Sequence, residues 1–251
     1  MRPDSIGERT LHGDPRAPQI GGGRMKRLLR QNRELREIGA WNWTIPALGA
    51  KLDDGRTIHT CPQAGACAAL CYARNGTFRF KTVKAAHARN LKFILDDPVG
   101  WESAMNDEIK RFVKSGSYIR IHDSGDFFSD DYLMAWMRIA ANHPTIVFYA
   151  YTKEVSRFKR LADGRAPANF RWLYSMGGKE DHLIDTANDR HAEVFPDAES
   201  LEAAGYFNQE ASDILAITAP TNRIGIVANN IPHFKKKQGT ATFGDLQRAL
   251  S

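Results

Sequence analysis

The chain has 251 residues, of which 42% are hydrophobic, enough for one sizeable domain with a buried core. It has no apolar run long enough to cross a membrane, and its N-terminus lacks the apolar stretch of a secretory signal, so we expect a cytoplasmic protein that binds no membrane. The 35 Lys and Arg residues exceed the 29 Asp and Glu residues by six charges, which favours anionic partners without requiring a nucleic acid.

The composition divides the chain into an extension and a domain. Residues 1–24 are rich in Gly, Pro, Arg and Asp and show no apolar period, so we expect them to be disordered. Residues 25–251 should form a single domain. Its first element is predicted to be a basic surface helix over residues 25–38.

Two kinds of pattern follow before the middle of the chain. The dipeptide Asp54-Gly55 tolerates the positive φ angles of a tight turn and predicts a hairpin around it. Apolar residues three or four positions apart predict amphipathic helices over residues 80–96 and 99–114.

Strands and helices alternate beyond Gly116. Strands are predicted at residues 118–122, 145–152 and 169–176, with helices at 130–143 and 153–162 between them. A loop-rich, acidic insert over residues 179–213 should precede two further strands, 214–220 and 223–229. This alternation indicates βα units and therefore an α/β fold with a mainly parallel sheet.

Polar side chains follow each predicted strand. The carboxyl ends of parallel strands meet at one edge of a sheet, where ligands bind. We therefore expect these groups to lie close together: His122, Asp123, Ser124 and Asp126 after the first strand, Thr152 and Lys153 after the second, and Ser175 after the third. Asn229, Asn230 and His233 after the last predicted strand are further candidates for contact with a substrate.

Three cysteines, Cys61, Cys67 and Cys71, fall within eleven residues and are the whole cysteine content of the chain. An odd number of cysteines in a reducing compartment favours metal binding over disulfides. Small residues between them let the loop wrap closely around a metal centre. One interpretation is that they bind an iron–sulfur cluster with one iron left open for a ligand. The alternative is a structural zinc site completed by His59 or His87.

The cysteine triplet and the strand ends resemble those of radical S-adenosylmethionine (SAM) enzymes, although the family's usual spacing between cysteines is shorter. The resemblance implies a partial (β/α) TIM-like barrel, a [4Fe–4S] cluster on the three cysteines, and bound SAM. It places Ser124, Gly125 and Asp126 where that family holds the methionyl amine, with Thr152 and Ser175 as further SAM contacts. Asp126 would then pair with the ammonium group of SAM and Lys153 with its carboxylate.

A second resemblance covers roughly residues 25–245. The segments TCPQAGACAALCYARNGT, IRIHDSGDFFSDDYLMAW and WLYSMGGKEDHLID are similar to those of a family of actinobacterial and phage proteins known by a phage gene-product number. That resemblance names no substrate.

Together these observations predict a radical SAM enzyme. His122, Asp123 and Lys153 are the candidate catalytic residues, since a histidine near its solution pKa exchanges protons at neutral pH. The substrate would be a nucleic-acid base or a nucleotide, and a flavodoxin- or ferredoxin-like reductant would be a partner. The alternatives are a non-catalytic nucleic-acid-binding protein with a structural zinc site, and an iron–sulfur redox sensor.

Overall fold

A computed structural model describes residues 27–251, so the predicted disordered extension over residues 1–24 lies outside the described residues. Besides four short 3-10 helices, nine strands and nine α-helices follow in the described part of the chain. They are α1 (Arg33–Glu37), β1 (Ala40–Trp43), β2 (Ala50–Lys51), β3 (Thr57–Ile58), α2 (Lys81–Asp96), α3 (Pro98–Phe112), β4 (Tyr118–Ile121), α4 (Asp130–Asn142), β5 (Val147–Thr152), α5 (Val155–Leu161), β6 (Phe170–Ser175), β7 (His191–Phe195), α6 (Ala198–Ala203), β8 (Phe207–Asn208), α7 (Leu215–Thr218), β9 (Arg223–Val227), α8 (Pro232–Gln238) and α9 (Phe243–Arg248).

Seven of the strands form one sheet in the order β1-β4-β5-β6-β7-β9-β8, and every pair in it is parallel. The first six strands of the sheet, from β1 to β9, lie side by side in the order in which they occur in the chain. Strand β8 departs from that order because it lies at the edge, beyond β9. Crossovers between parallel strands are nearly always right-handed, so the sequential steps from β1 to β6 place the connecting helices α3, α4 and α5 on one face. The step from β8 to β9 runs in the reverse direction, and its helix α7 lies on the other face. Across residues 27–251, β1 and β8 are the two edges and do not pair with each other. The predicted parallel α/β sheet is therefore confirmed, and its described strands form an open sheet.

The main core lies between the sheet and helices α3, α4 and α5. Alternate strand residues such as Ile119 and Ile121 pack there because successive side chains point to opposite faces. Three tryptophans, Trp43, Trp101 and Trp136, are fully buried in it. The opposite face, here called the inner face, carries a smaller cluster that packs against α7 and the residues just after it: Tyr149, Leu173, Ala192, Ile224, Ala216, Ile217 and Ala219.

Several predicted elements are confirmed. The hairpin around Asp54-Gly55 is formed by the antiparallel strands β2 and β3. The two amphipathic helices are α2 and α3, and the alternating segment that follows contains β4, α4, β5, α5 and β6 as predicted. Helix α4 begins where Ser129 accepts a hydrogen bond from the amide of Tyr132, which fixes its first turn against the loop after β4.

Other elements differ from the sequence prediction. The helix predicted over residues 25–38 is only the five-residue α1, because Asn32 caps it and the preceding Arg30 pairs with the edge strand at Asn42. Residues 214–220 contain the helix α7 rather than a strand, since they pack on the inner face instead of joining the sheet. The insert over residues 179–213 is loop-rich as predicted, but it also contains the helix α6 and contributes β7 and β8 to the sheet.

No helix within residues 27–251 has the length and apolar character that a membrane span requires.

Candidate metal and cofactor site

One cavity of about 480 Å³ lies at the carboxyl edge of the sheet and brings together every residue that the sequence assigned to the cluster, to SAM or to catalysis. Its volume is within the range of small-molecule sites in proteins. Of the further candidates after β9, Asn229 lines the cavity, whereas Asn230 and His233 do not. The assigned residues in its lining are Cys61, Cys67, Cys71, His122, Asp123, Ser124, Gly125, Asp126, Thr152, Lys153 and Ser175.

The cysteine loop is anchored by the loop after β6 and by helix α9. The amide of Cys67 donates to the carbonyl oxygen of Gly177 at 3.0 Å, and the amide of Ala66 donates to Gln247 Oε1 at 2.8 Å. Gly65 permits this close approach, because a Cβ at that position would lie 1.8 Å from Gln247 Oε1. Two chain segments far from the cysteines in sequence therefore fix the shape of their loop.

Burial keeps the thiols of Cys61 and Cys71 protonated when no metal is bound. Burial, with the carboxylate of Asp126 adding to it, raises the pKa of Cys61 to about 12. Burial likewise raises the pKa of Cys71 to about 11, with Cys67 adding to the shift. Metals bind thiolates, so a metal that enters this loop must displace the thiol protons.

The three thiols are not arranged around a single ion. Residues 27–251 contain no group of three or more His, Cys, Asp and Glu side chains placed to hold one metal ion. Zinc ligands lie only about 2.0–2.3 Å from the metal and therefore crowd together. His87 lines a separate groove, and His59 lines neither that groove nor the cavity. The three thiols line one cavity, and neither histidine named as a fourth zinc ligand lies in its described lining.

The turn after β4 is locked to the segment after β1. Gly125 has φ +85°, and a Cβ there would lie 2.3 Å from Ile45 Cγ1, so only glycine fits without strain. Ser124 Oγ donates to the carbonyl oxygen of Ile45 at 2.6 Å. The amide of Asp126 donates to the carbonyl oxygen of Thr60, directly before the first cysteine. The turn thereby connects β1, β4 and the cysteine loop.

Asp126 is buried and already hydrogen-bonded by the protein. Its Oδ1 accepts from the amide of Phe127 at 2.8 Å and from Thr152 Oγ1 at 2.7 Å, while its Oδ2 accepts from the amide of Lys153 at 2.9 Å. Burial raises the pKa of this carboxyl, and the three hydrogen bonds oppose the shift. A carboxylate has about four acceptor positions. Asp126 thus joins the ends of β4 and β5 and retains one position for a ligand.

Lys153 is also engaged within the protein. Its Nζ donates to Ser175 Oγ at 2.7 Å, to the carbonyl oxygen of Ser175 at 3.0 Å and to that of Met176 at 3.1 Å. An ammonium group has three donors, so all of them are used. Lys153 therefore places a positive charge at the cavity and holds the end of β6.

His122 is buried and packs beside Tyr132 and Trp43. Tyr132 Oη accepts a hydrogen bond from Trp43 Nε1 at 2.7 Å and lies 2.9 Å from His122 Nε2, within hydrogen-bond distance. Burial lowers the pKa of His122 to about 3. The ring is therefore neutral at pH 7, and the catalytic role assigned to His122 stays a prediction. Its backbone φ of +70° is also unusual for a non-glycine residue.

A charged network on the inner face borders the same cavity. Asp213 accepts hydrogen bonds from Tyr149 at 2.6 Å and from Tyr151 at 3.2 Å, and lies 3.5 Å from Arg120. Arg120 Nη1 also lies 3.6 Å from Asp123 Oδ1. Burial alone would lower the pKa of Arg120, but the surrounding Asp213, Tyr72, Asp123 and Tyr151 together outweigh it and raise the pKa, so the guanidinium stays charged.

Two lining side chains have buried nitrogens without a hydrogen-bond partner among the described residues: Arg120 Nε and His122 Nδ1. Unpaired buried donors are costly in a protein interior. A ligand that brings acceptor atoms into the cavity would satisfy them. SAM has such acceptors in its carboxylate, its ribose and its adenine ring, so the lining fits SAM as well as it fits a cluster.

The sequence profile of the family described as "Gene product 88" matches residues 25–249, almost the entire chain. The chain belongs to the Gene product 88 family. Every residue of the cavity described above falls within the matched range. The predicted resemblance to a phage gene-product family is thereby confirmed.

Two relatives of this Gene product 88 member come from mycobacteriophages, and both are named Gene 88 protein. The protein of Mycobacterium phage L5 is 33% identical over 102 residues, which cover 38% of this chain and 43% of the phage protein. That of Mycobacterium phage D29 is 32% identical over 102 residues, which cover 38% and 42%. The chain thus matches less than half the length of these relatives. No solved structure is similar to the chain at a significant level.

The inner-face network of this Gene product 88 member had one signal in the sequence. Arg120 lies between Ile119 and Ile121, and Tyr149 and Tyr151 alternate with small or apolar residues. Alternation in a strand separates two faces, so these polar groups indicated a second face with its own function. Asp213 had no comparable signal, because it lies at the end of the supposed loop-rich insert.

Proposed function

We propose that this protein is a radical SAM enzyme in which Cys61, Cys67 and Cys71 bind a [4Fe–4S] cluster. The observation that carries the proposal is that the three thiols and the turn of Ser124, Gly125 and Asp126 line one cavity at the carboxyl edge of a parallel sheet. Three thiolates leave one of four irons open to a ligand. When bound, the cluster and SAM would supply a one-electron cleavage of the sulfonium bond, which begins radical chemistry.

The strand order supports the finer fold assignment. A (β/α) barrel has parallel strands in sequential order with all its helices outside. Strands β1, β4, β5, β6, β7 and β9 follow that order, and the sheet remains open between β1 and β8. We therefore propose the partial TIM-like barrel that the radical SAM resemblance implies.

The side chains of the cavity bind and orient the ligand. Asp126 offers its remaining acceptor position on Oδ2 to the ammonium group of SAM, and Thr152 fixes the other oxygen of the same carboxylate. Lys153 supplies positive charge near the ligand carboxylate and positions Ser175. Arg120 Nε and His122 Nδ1 donate to acceptor atoms of the ligand, and a neutral imidazole can do so without changing its protonation at pH 7.

The chemistry also requires an electron from outside the protein. We propose a flavodoxin- or ferredoxin-like protein as the donor. Free thiols and an oxygen-sensitive cluster both point to a reducing compartment, the cytoplasm.

The direct test is anaerobic reconstitution of the full chain with iron and sulfide, followed by measurement of bound metal and of SAM cleavage. We expect about four irons per chain. On chemical reduction, SAM should yield 5′-deoxyadenosine. Cys67→Ala should abolish both results, whereas Ala69→Ser, an exposed position in the same loop that lies outside the cavity, should leave both unchanged.

The alternatives give different outcomes in the same experiment. A colourless protein that holds one zinc ion and cleaves no SAM would refute the enzyme and support a structural zinc site. An iron–sulfur cluster that changes redox state but yields no 5′-deoxyadenosine would indicate a redox sensor instead.

A further inference from the structure

A second groove, of about 560 Å³, runs between the edge strand β1 and helix α2. Asn32 and Asp123 line both this groove and the cavity, so the two adjoin. Arginine and neutral polar side chains dominate its lining, and Asp123 is the one acidic residue that the described lining contains. We call it the basic groove; its cations are Arg27, Arg30 and Arg89.

The charge of the chain is concentrated beside this groove. From Gly55 to Leu95 the sequence contains seven Lys and Arg residues and no Asp or Glu. The net charge of the whole chain is +6, so the rest of the sequence is close to neutral. The acid-free segment includes the cysteine loop and nearly all of α2. A localised positive surface of this kind attracts an anionic polymer.

Most of these cations are not neutralised within the protein. Arg56 and Lys92 pair with Asp54 and Asp96. The other five are exposed and take part in none of the ion pairs among residues 27–251. The first turn of α2 also has no acidic residue and no side-chain cap, which adds to the positive potential. The five exposed cations are Arg74, Arg79, Lys81, Lys84 and Arg89.

Aromatic rings connect the groove with the cavity. Phe78 lines the basic groove, Tyr72 lines the cavity, and their ring centroids lie 5.7 Å apart in an edge-to-face arrangement. Phe80, between these residues and α2, is 59% exposed, which is unusual for a phenylalanine. Cations interleaved with exposed aromatic rings are typical of surfaces that bind single-stranded nucleic acid, where rings stack on bases.

We infer that the basic groove binds single-stranded nucleic acid and directs an unstacked base past Phe78 and Tyr72 into the cavity. A single strand fits better than a duplex, because a base must leave the stack before an enclosed site can reach it. A single strand also fits better than an acidic protein segment, because the surface offers aromatic rings for stacking on bases as well as positive charge. The inference names the substrate class of the proposed enzyme and rests on the proposed function for its chemistry alone.

The test measures binding of a fluorescently labelled single-stranded oligonucleotide, and of the matching duplex, to the anaerobically reconstituted full chain over a range of salt concentrations. The variant Arg30→Gln/Arg89→Gln removes two charges from the groove. The control Lys51→Gln/Lys114→Gln removes two exposed charges that line neither the groove nor the cavity and that form no ion pair in the described chain.

The groove variant should bind the single strand at least about tenfold more weakly at low salt, and its salt slope should fall by about 1.4, because each lost phosphate contact contributes about 0.7. The control should bind like the wild type. Tighter binding of the duplex, absence of binding, or equal losses in both variants would overturn the inference. SAM cleavage is measured on the same wild-type sample, so failure of the proposed chemistry appears separately from failure of binding.

Discussion

Substitution of Gly125 by alanine probes the turn that joins β1, β4 and the cysteine loop. The position has φ +85°, and a left-handed conformation costs a residue with a Cβ about 1–2 kcal/mol. The new Cβ would lie 2.3 Å from Ile45 Cγ1 and 3.2 Å from the carbonyl oxygen of Pro46. Overpacking of this kind costs about 1–3 kcal/mol. The free energy of unfolding should therefore fall by about 2–5 kcal/mol.

Gly116→Ala is the matched control for this substitution. Gly116 has φ +80°, nearly the same backbone conformation, but a Cβ there would meet no atom within 4 Å. In Gly116→Ala the free energy of unfolding should fall only by the cost of the left-handed backbone conformation, about 1–2 kcal/mol. Urea unfolding of the metal-free proteins, followed by circular dichroism, gives both values from the midpoint and slope.

The difference between the two variants isolates the contact with Ile45. Ile45→Ala in the Gly125→Ala background should cost less than Ile45→Ala in the wild type, because the smaller side chain relieves the clash. Equal losses in the two glycine variants, together with additive behaviour in the double variant, would refute the described packing of the turn.

Three further predictions concern titration and charge. Burial lowers the pKa of His122 from 6.5 to about 3, so below pH 6.5 this ring binds fewer protons in the folded state than in the unfolded chain. The free energy of unfolding of the metal-free wild type, taken relative to that of His122→Gln in urea titrations, should therefore fall by roughly 1.4 kcal/mol per pH unit between about pH 6 and pH 4. With pKa values raised to about 12 and 11, Cys61 and Cys71 of the metal-free protein should react with iodoacetamide near pH 8 roughly a thousandfold and roughly a hundredfold more slowly than a free cysteine; mass spectrometry measures the rates, and rapid labelling in the folded state would contradict the burial described. Asp213→Asn should lower the free energy of unfolding by about 1–3 kcal/mol, because a buried guanidinium and two tyrosines lose their carboxylate partner. The control is the exposed neighbour Glu210, whose substitution Glu210→Gln should change the free energy of unfolding by less than about 0.5 kcal/mol. Equal effects of the two substitutions would refute the role given to the network.

The central part of the fold was predictable because the hydrophobic patterns of its strands and of its helices differ clearly. Short buried strands between amphipathic helices identify β4, α4, β5, α5 and β6. Local patterns were not sufficient elsewhere. Strand β1 is short and aromatic, and its sequence does not separate a strand from a core loop. Residues 214–220 form a short apolar run, which fits a strand or a buried helix equally well. Packing on the inner face, a tertiary effect, decides for the helix.

The sequence predicted which residues line the cavity better than it predicted the contacts that these residues make. The strand-end rule needs only the strands and their direction, and it placed the polar groups at one edge correctly. Hydrogen-bond partners depend on distances between separate loops, which no local pattern contains. The sequence therefore assigned Asp126 and Lys153 to the ligand, whereas the structure shows that both mainly hold strand ends together.

The hydrogen bond from Ala66 to Gln247 has a consequence for the order of assembly in the cell. The two residues are 181 positions apart, so most of the chain must be synthesised before the cysteine loop gains this support. During translation the three thiols leave the ribosome early and remain in a loosely held loop until α9 emerges. We expect stable metal loading to follow synthesis of α9 rather than to accompany synthesis of the cysteines, and the thiols to be most vulnerable to oxidation in that interval.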